Sequence, residues 1–307
     1  MRQFFQWDLG IRKLALGQRT LLMGIVNVTP DSFSDGGQHL DPARGIEHAL
    51  KLLDEGADII DIGGESTRPG AAATVSAQQE LDRILPVIEG VKRARSAAVI
   101  SVDTYKASVA RAAVATGAEI VNDVSGALWD AEMLPTLAEL SCGIVLTHMR
   151  GRPQEWRTLP PIGDSFSVVQ QGLSERVEAA VQIAKPRIVL DPGFGFGKSF
   201  DENYPLLAKF EKLHDLGYPL LAGVSRKSFL GRTVSLGRTT NLGGAGSQQA
   251  RVEAELAPPE ARFFATLAAE TTLVLKGAHI IRTHDIGACK DAVSVAEAII
   301  RAAPEIT

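Results

Sequence analysis

The sequence predicts an α/β chain folded as a (β/α)8 TIM barrel, with a short N-terminal hairpin closing the barrel floor. Three observations carry that reading. Eight short apolar runs punctuate the chain, Ala/Leu/Glu-rich stretches long enough for crossover helices separate them, and a polar motif begins where each run stops. An open doubly wound sheet of six strands beside a small domain is the competing arrangement. Its polar residues would gather at one switch point instead of following every strand.

Taken in order, the residues before position 21 carry Gly10 and Gly17, which turn short segments into the hairpin. The eight runs are 21–28, 58–62, 99–103, 119–124, 144–147, 187–190, 219–224 and 278–282. Several are almost continuously apolar, as strands covered on both faces are. Asp41-Pro42-Ala43 opens the first helix with an N-cap and a proline at the first helical position. Ser76-Ala77-Gln78-Gln79 opens the second with a capping-box pattern. Gly56, Gly117 and Gly217 fall near helix ends, just before the next strand. Three connections are long, 29–40, 65–75 and 149–168, and a stretch rich in Gly, Thr, Gln and Arg at 231–257 reads as a lid or a poorly ordered insertion. The whole chain, 1–307, is expected to form one domain.

Composition narrows the function classes. With 32 basic against 36 acidic side chains and a net charge of -4, no face-wide nucleic-acid footprint is expected. No apolar stretch approaches the length of a membrane span, and the opening Met1-Arg2-Gln3-Phe4-Phe5-Gln6-Trp7-Asp8 is too short and polar for a signal-peptide core. Cys142 and Cys289 follow no metal-ligand spacing, which points to a reducing cytoplasm and, for Cys142, to a core thiol.

The strand ends hold the chemistry. Asp103, Asn122-Asp123 and Asp191 place carboxylates and an amide where burial is costly without partners. A flat heterocycle with several N–H donors supplies such partners, and its carbonyl and ring nitrogens suit Asn122 and Lys227. Arg282 and His284 stand two positions apart, so in an extended segment both point to one side and reach one anion. Asn27 ends the neighbouring first strand, where a metal-bound diphosphate fits. Oxygen ligands without a His/Cys cluster favour magnesium over zinc. Gly193-Phe194-Gly195-Phe196-Gly197-Lys198 lacks the spacing of a Walker A loop and reads as a flexible strand end that lays Phe196 over a ligand ring. Ser225-Arg226-Lys227 is a second cationic strand end.

Together these motifs closely resemble the dihydropteroate synthase family. The resemblance is carried by 24–37 (Gly24 to Gly37, with Asn27-Val28-Thr29-Pro30-Asp31-Ser32-Phe33-Ser34-Asp35 inside it), by Asp61-Ile62-Gly63-Gly64-Glu65-Ser66-Thr67-Arg68-Pro69-Gly70, and by the Asp191 loop, Ser225-Arg226-Lys227 and Arg282-Thr283-His284-Asp285. It spans about 21–302. The resemblance implies a homodimeric barrel that needs magnesium. Such an enzyme condenses 6-hydroxymethyl-7,8-dihydropterin diphosphate with p-aminobenzoate, giving 7,8-dihydropteroate and pyrophosphate. It implies that Asp103, Asn122, Asp191 and Lys227 hold the pterin and that Met149 packs against it. Arg282, His284 and Asn27 would bind diphosphate, with Asn27 also touching the metal. Thr67, Arg68, Pro69, Phe196, Ser225 and Lys227 would surround p-aminobenzoate. Thr29, Pro30, Asp31, Ser32, Phe33, Ser34 and Asp35 would form a mobile loop that closes over the ligands. The catalytic set on this reading is Asp103, Lys227, Arg282 and His284. Two features depart from the family pattern: the long 231–257 stretch, and Ala265 where a glycine is usual. A pterin-binding methyltransferase with a corrinoid partner shares the acidic slot but has no need of a diphosphate site.

Overall fold

The structure is a computed structural model, and it describes residues 2–29, 41–66, 75–239 and 256–302. Pro30, Asp31, Ser32, Phe33, Ser34 and Asp35 of the expected mobile loop, and Thr67, Arg68 and Pro69 of the expected p-aminobenzoate site, lie outside the described residues.

Two short strands, β1 (Phe5–Asp8) and β2 (Lys13–Leu16), pair antiparallel as the predicted hairpin. Gly10 (φ 85°) lies in its turn and Gly17 (φ 103°) directs the chain out of β2, both in the left-handed region that favours glycine. The parallel strands follow: β3 (Leu21–Asn27), β4 (Ile59–Gly63), β5 (Val99–Asp103), β6 (Ile120–Asp123), β7 (Gly143–Thr147), β8 (Ile188–Asp191), β9 (Leu221–Ala222) and β10 (Ile280–Thr283). Each neighbours the next in sequence, β10 pairs with both β3 and β9, and a single parallel bridge from Leu190 to Leu220 joins β8 to the β9 segment. The sheet therefore closes on itself nearly completely, as the eight apolar runs predict, with boundaries differing by a few residues. The largest difference is at β9, which is only two residues long where the sequence suggested six.

The helices are α1 (Pro42–Glu55), α2 (Ala77–Ala94), α3 (Ala107–Thr116), α4 (Met133–Glu139), α5 (Ser165–Ala179), α6 (Asn203–Ala208), α7 (Ser228–Thr239), α8 (Phe263–Leu275) and α9 (Ile286–Ala302). Asp41 accepts from the Ala43 N–H at 2.9 Å, which caps α1. Ser76 and Gln79 exchange both bonds of the capping box at the start of α2. The stretch read as a lid needs correction over its first part. Residues 231–239 belong to α7, because the Phe229 and Leu230 side chains are buried and anchor the helix from its first turn. Residues 240–255 lie outside the described residues.

Alternation along each strand splits the interior into two parts. Outward-facing side chains such as Leu22, Ile60, Val102, Val121, Leu146, Leu190 and Ile281 pack under the helices. Inward-facing Leu21, Ile59, Val99, Ile120, Val145, Val189, Leu221 and Ile280 form an apolar plug with Trp7, Leu9 and Leu16 of the hairpin region. Trp7 is fully buried, and its indole donates to the Arg187 carbonyl at 2.8 Å. The lower end of the lumen is thus filled with apolar side chains. Two residues further along most of the strands the character changes.

Candidate active site

Two positions on from the plug, the inward side chains are Asp61 on β4, Asn122 on β6, Thr147 on β7, Asp191 on β8 and Arg282 on β10, with Ser101 and then Asp103 on β5. This polar tier sits at the C-terminal ends of the strands, where barrel enzymes build their sites. Its centre is the Arg282 guanidinium. Nε donates to Asp61 Oδ2 at 2.6 Å and Nη2 donates to Asp103 Oδ2 at 2.7 Å. Asn122 Nδ2 donates to the same Asp61 oxygen at 3.0 Å. Asp61 is fully buried, and its Oδ1 has no hydrogen-bond partner.

The electrostatics follow from this crowding. Burial raises the Asp103 carboxyl above its ordinary value, with Arg282 pulling it down and Asp61 pushing it up again. Burial also pushes Asp191 up to about 6, opposed by the Gly193 N–H, Lys227 and Arg282. Arg282 is raised instead: burial acts to lower it, but Asp61 and Asp103 more than compensate. Burial lowers Lys227 to about 7, and nearby Arg282 adds to that, against the pull of Asp191 and Asp103. Two half-compensated acids and one half-compensated amine therefore face the mouth of the barrel. Such a site gains from a polar ligand that satisfies them.

The β8 loop divides its two phenylalanines. Phe194 is fully buried and stacks with Phe210 and Phe229. Phe196 stays at the surface of the site with the Lys227 ammonium 3.5 Å from its ring centroid and Trp156 beside it. Lys198, read from sequence as part of a flexible loop, is a buried clamp. Its ammonium donates to the carbonyls of Gly193 (2.7 Å), Phe196 (3.2 Å) and His148 (3.4 Å), tying the β7 and β8 loops together. Met149 is buried in the β7 loop so held.

Ser225 and His284 meet at the rim: Ser225 Oγ lies 2.9 Å from His284 Nδ1 and accepts from the His284 backbone N–H at 3.2 Å. Arg226, with a left-handed φ of 57°, turns away to pair with Asp285, so only one of the two cations in that motif faces the tier. Arg282 and His284 were expected to reach one anion together. Among the described contacts each has its own partners, because Arg282 is drawn across the lumen by the acids of β4 and β5. Asn27 closes β3 beside Gly63, and Thr29 is buried just beyond it. No group of three or more His, Cys, Asp or Glu side chains that could hold a metal occurs among the described residues. Asp61 and Lys198 were missed as site residues in the sequence, although a carboxylate inside the run Ile59-Ile60-Asp61-Ile62 is a signal in itself.

A family model described as pterin binding enzyme matches residues 23–284. The dihydropteroate synthases of Escherichia coli K12 (40% identical over 92% of each chain) and Bacillus subtilis (42% identical over 89% of this chain and 86% of the relative) align with it. The chain belongs to the dihydropteroate synthase family. It is accordingly an enzyme, a transferase. Among solved structures, a Xanthomonas albilineans dihydropteroate synthase with 4-aminobenzoic acid superposes with a TM-score of 0.83 at 42% identity, covering 98% of this chain and all of that one. A second structure of the Xanthomonas albilineans enzyme, in complex with 7,8-dihydropteroate, gives 0.79 at 40% identity, covering 97% of this chain and all of that one.

Proposed function

We propose that this chain, acting as one barrel domain, condenses 6-hydroxymethyl-7,8-dihydropterin diphosphate with p-aminobenzoate to give 7,8-dihydropteroate and pyrophosphate. The observation that carries the reading is the polar tier above a sealed apolar floor: Asp61, Asp103, Asn122 and Asp191 around Arg282. A pterin ring carries N–H donors for the acceptor positions that Arg282 and the Gly193 N–H leave on Asp103 and Asp191, and acceptors for Asn122 and Lys227. Met149 covers one face of the ring.

Arg282 can take an anion without leaving its aspartates. A guanidinium has five donors, and two of them are used by Asp61 and Asp103. The rest are free to orient diphosphate, with His284 and Asn27 at the same rim. The donor set fits magnesium and not zinc: one amide oxygen at Asn27 and no His/Cys/carboxylate cluster, which suits a hard cation completed by phosphate and water. When bound, that ion neutralises charge on the departing diphosphate. Early departure leaves a cation delocalised over the pterin, which Asp103 is correctly signed to stabilise. The aniline nitrogen of p-aminobenzoate, uncharged near neutral pH, then attacks beside Phe196, Ser225 and Lys227, joined by Thr67, Arg68 and Pro69. The loop from Thr29 to Asp35 excludes water over the reacting centre.

A homodimer is part of the proposal, supported by Phe264, Val295 and Ile299, which are 81%, 61% and 51% exposed on α8 and α9. Light scattering on the purified protein tests it. Two buried, unpaired cysteines support a cytoplasmic setting, and no helix among the described residues is long and apolar enough to cross a membrane.

The decisive experiment supplies pterin diphosphate and magnesium with and without p-aminobenzoate, and follows pyrophosphate release and dihydropteroate mass. The expected result is release that depends on p-aminobenzoate and stops on chelation. Ligand binding without product would sink the synthase reading. Asp103→Asn is expected to lower kcat more than affinity for pterin diphosphate, and equal kcat in that variant would remove Asp103 from the mechanism.

A further inference from the structure

Beneath the rim lies a carboxyl that the proposed reaction does not use. Glu270 on α8 is completely buried, and neither of its oxygens has a formed hydrogen bond. The polar groups facing it are the Thr283 hydroxyl on β10 and the Cys289 thiol on α9, with the charge of Asp285 nearby. Burial raises Glu270 to about 7, while Thr283 and Cys289 pull it back and Asp285 pushes it further up. It is therefore poised to exist in either form at working pH.

Thr283 stands between Arg282 and His284 but points outward, toward the helices. Its hydroxyl donates to Ser225 Oγ at 3.3 Å, and Ser225 Oγ is 2.9 Å from His284 Nδ1. The formed contacts thus run from Thr283 through Ser225 to the imidazole at the rim, with Glu270 facing the Thr283 end. We propose that Glu270 is a positioning residue that sets the protonation of His284 through Thr283 and Ser225. This rests on the diphosphate-binding reading of His284.

The directions are fixed by donor count. With Glu270 protonated, its O–H is directed at Thr283, Thr283 donates to Ser225, and Ser225 donates to His284 Nδ1. The ring is then neutral with its proton on Nε2, one charge-free donor for an anion. With Glu270 ionised, both hydroxyls turn over. His284 Nδ1–H donates to Ser225, Ser225 to Thr283, and Thr283 to the carboxylate. That arrangement favours the imidazolium, which donates from both nitrogens and carries a positive charge toward diphosphate. Between the two states the Glu270 O–H is lost and a His284 Nδ1–H is gained, the net effect being one proton moved from carboxyl to imidazole. The Thr283 and Ser225 hydroxyls each keep their proton and only reverse direction.

The test is the titration of His284 in the free enzyme, read from ring-nitrogen NMR shifts and assigned by the signal that Ser225-bonded His284 loses in His284→Gln. Glu270→Gln removes the acceptor, and the His284 midpoint is expected to fall by about half a pH unit or more. Thr283→Val cuts the hydroxyl chain but leaves the Glu270 charge in place. It should lower the midpoint by a similar amount, Thr283→Ser should restore it, and the Glu270→Gln/Thr283→Val double variant should add nothing further. An unchanged midpoint in both single variants overturns the proposal. A shift in Glu270→Gln alone also overturns it, because that outcome means through-space charge and not a relay. Pyrophosphate binding by His284→Gln is measured separately. If it equals wild type, the diphosphate reading of His284 fails while the titration result stands.

Discussion

Replacing Asp61 with asparagine isolates what the buried charge contributes to the tier. Asparagine can keep one oxygen where Oδ2 accepts from both Arg282 and Asn122, so the geometry survives. Two things are lost. The bond from Arg282 becomes charged-to-neutral, losing about 1 kcal/mol of charge assistance. The amide nitrogen must take the place of Oδ1, which has no partner, leaving a buried donor unsatisfied at about 1–3 kcal/mol. Arg282 keeps Asp103, so the full cost of breaking a buried pair does not apply. The sum is about 2–4 kcal/mol. Urea denaturation reads it as a lower midpoint with an unchanged slope. In steady-state kinetics the KM for pterin diphosphate should rise about tenfold, equivalent to about 1.4 kcal/mol, with the KM for p-aminobenzoate little changed. A variant within about 0.5 kcal/mol of wild type, the ordinary scatter of surface substitutions, and with both KM values unchanged would show that Asp61 does not organise the tier.

Further expectations concern stability and its dependence on pH. Asp191 is raised in the fold to about 6, so between its unfolded value and pH 6 the native state binds the extra proton. Stability therefore falls as pH rises through that window, and the penalty is complete above it. Asp191→Asn should raise Tm at pH 7.5, flatten the pH 4–6 slope of a thermal-melt series and weaken pterin binding. A lower Tm at pH 7.5 would refute the desolvation argument. Lys198→Met leaves three carbonyls without their buried donor and should cost about 2–4 kcal/mol. Calorimetry with pterin and with p-aminobenzoate should show both affinities reduced, since Met149 and Phe196 hang on the two loops it ties. Trp7→Ala empties the centre of the floor and should cost about 3–5 kcal/mol in denaturation, with kcat retained in whatever fraction stays folded. A kcat loss there would mean that floor and site are mechanically coupled.

How much of this was legible in the sequence differs by the kind of information each feature needs. Helix starts were readable because caps are local: Asp41, Ser76 and Gln79 find their partners within three residues. Strand existence was readable because covered parallel strands are apolar on both faces. The partners of Arg282 were not readable. Spacing places Arg282 and His284 on one side, but the choice of Asp61 and Asp103 depends on which strands face one another across the lumen, and that is set by closure. Lys198 follows a glycine-rich run that looks flexible, and its burial arises only when the β7 loop folds over it. Glu270 looks from sequence like an ordinary helical acid, because nothing in Ala268-Ala269-Glu270-Thr271-Thr272 marks the face that α8 turns toward β10. The early part of the 231–257 stretch looked loop-like from its glycines, yet the anchoring residues Phe229 and Leu230 stand just before it.

The filled floor turns the lumen, among the described residues, into a vessel open at its upper end. Among the described residues Trp7, Leu9 and Leu16 fill the lower end, so the way to the aspartates is from above. Traffic through one doorway has to queue. On the proposed function, the pterin seated on the aspartates and the p-aminobenzoate beside Phe196 would share that doorway, the deeper ligand entering first.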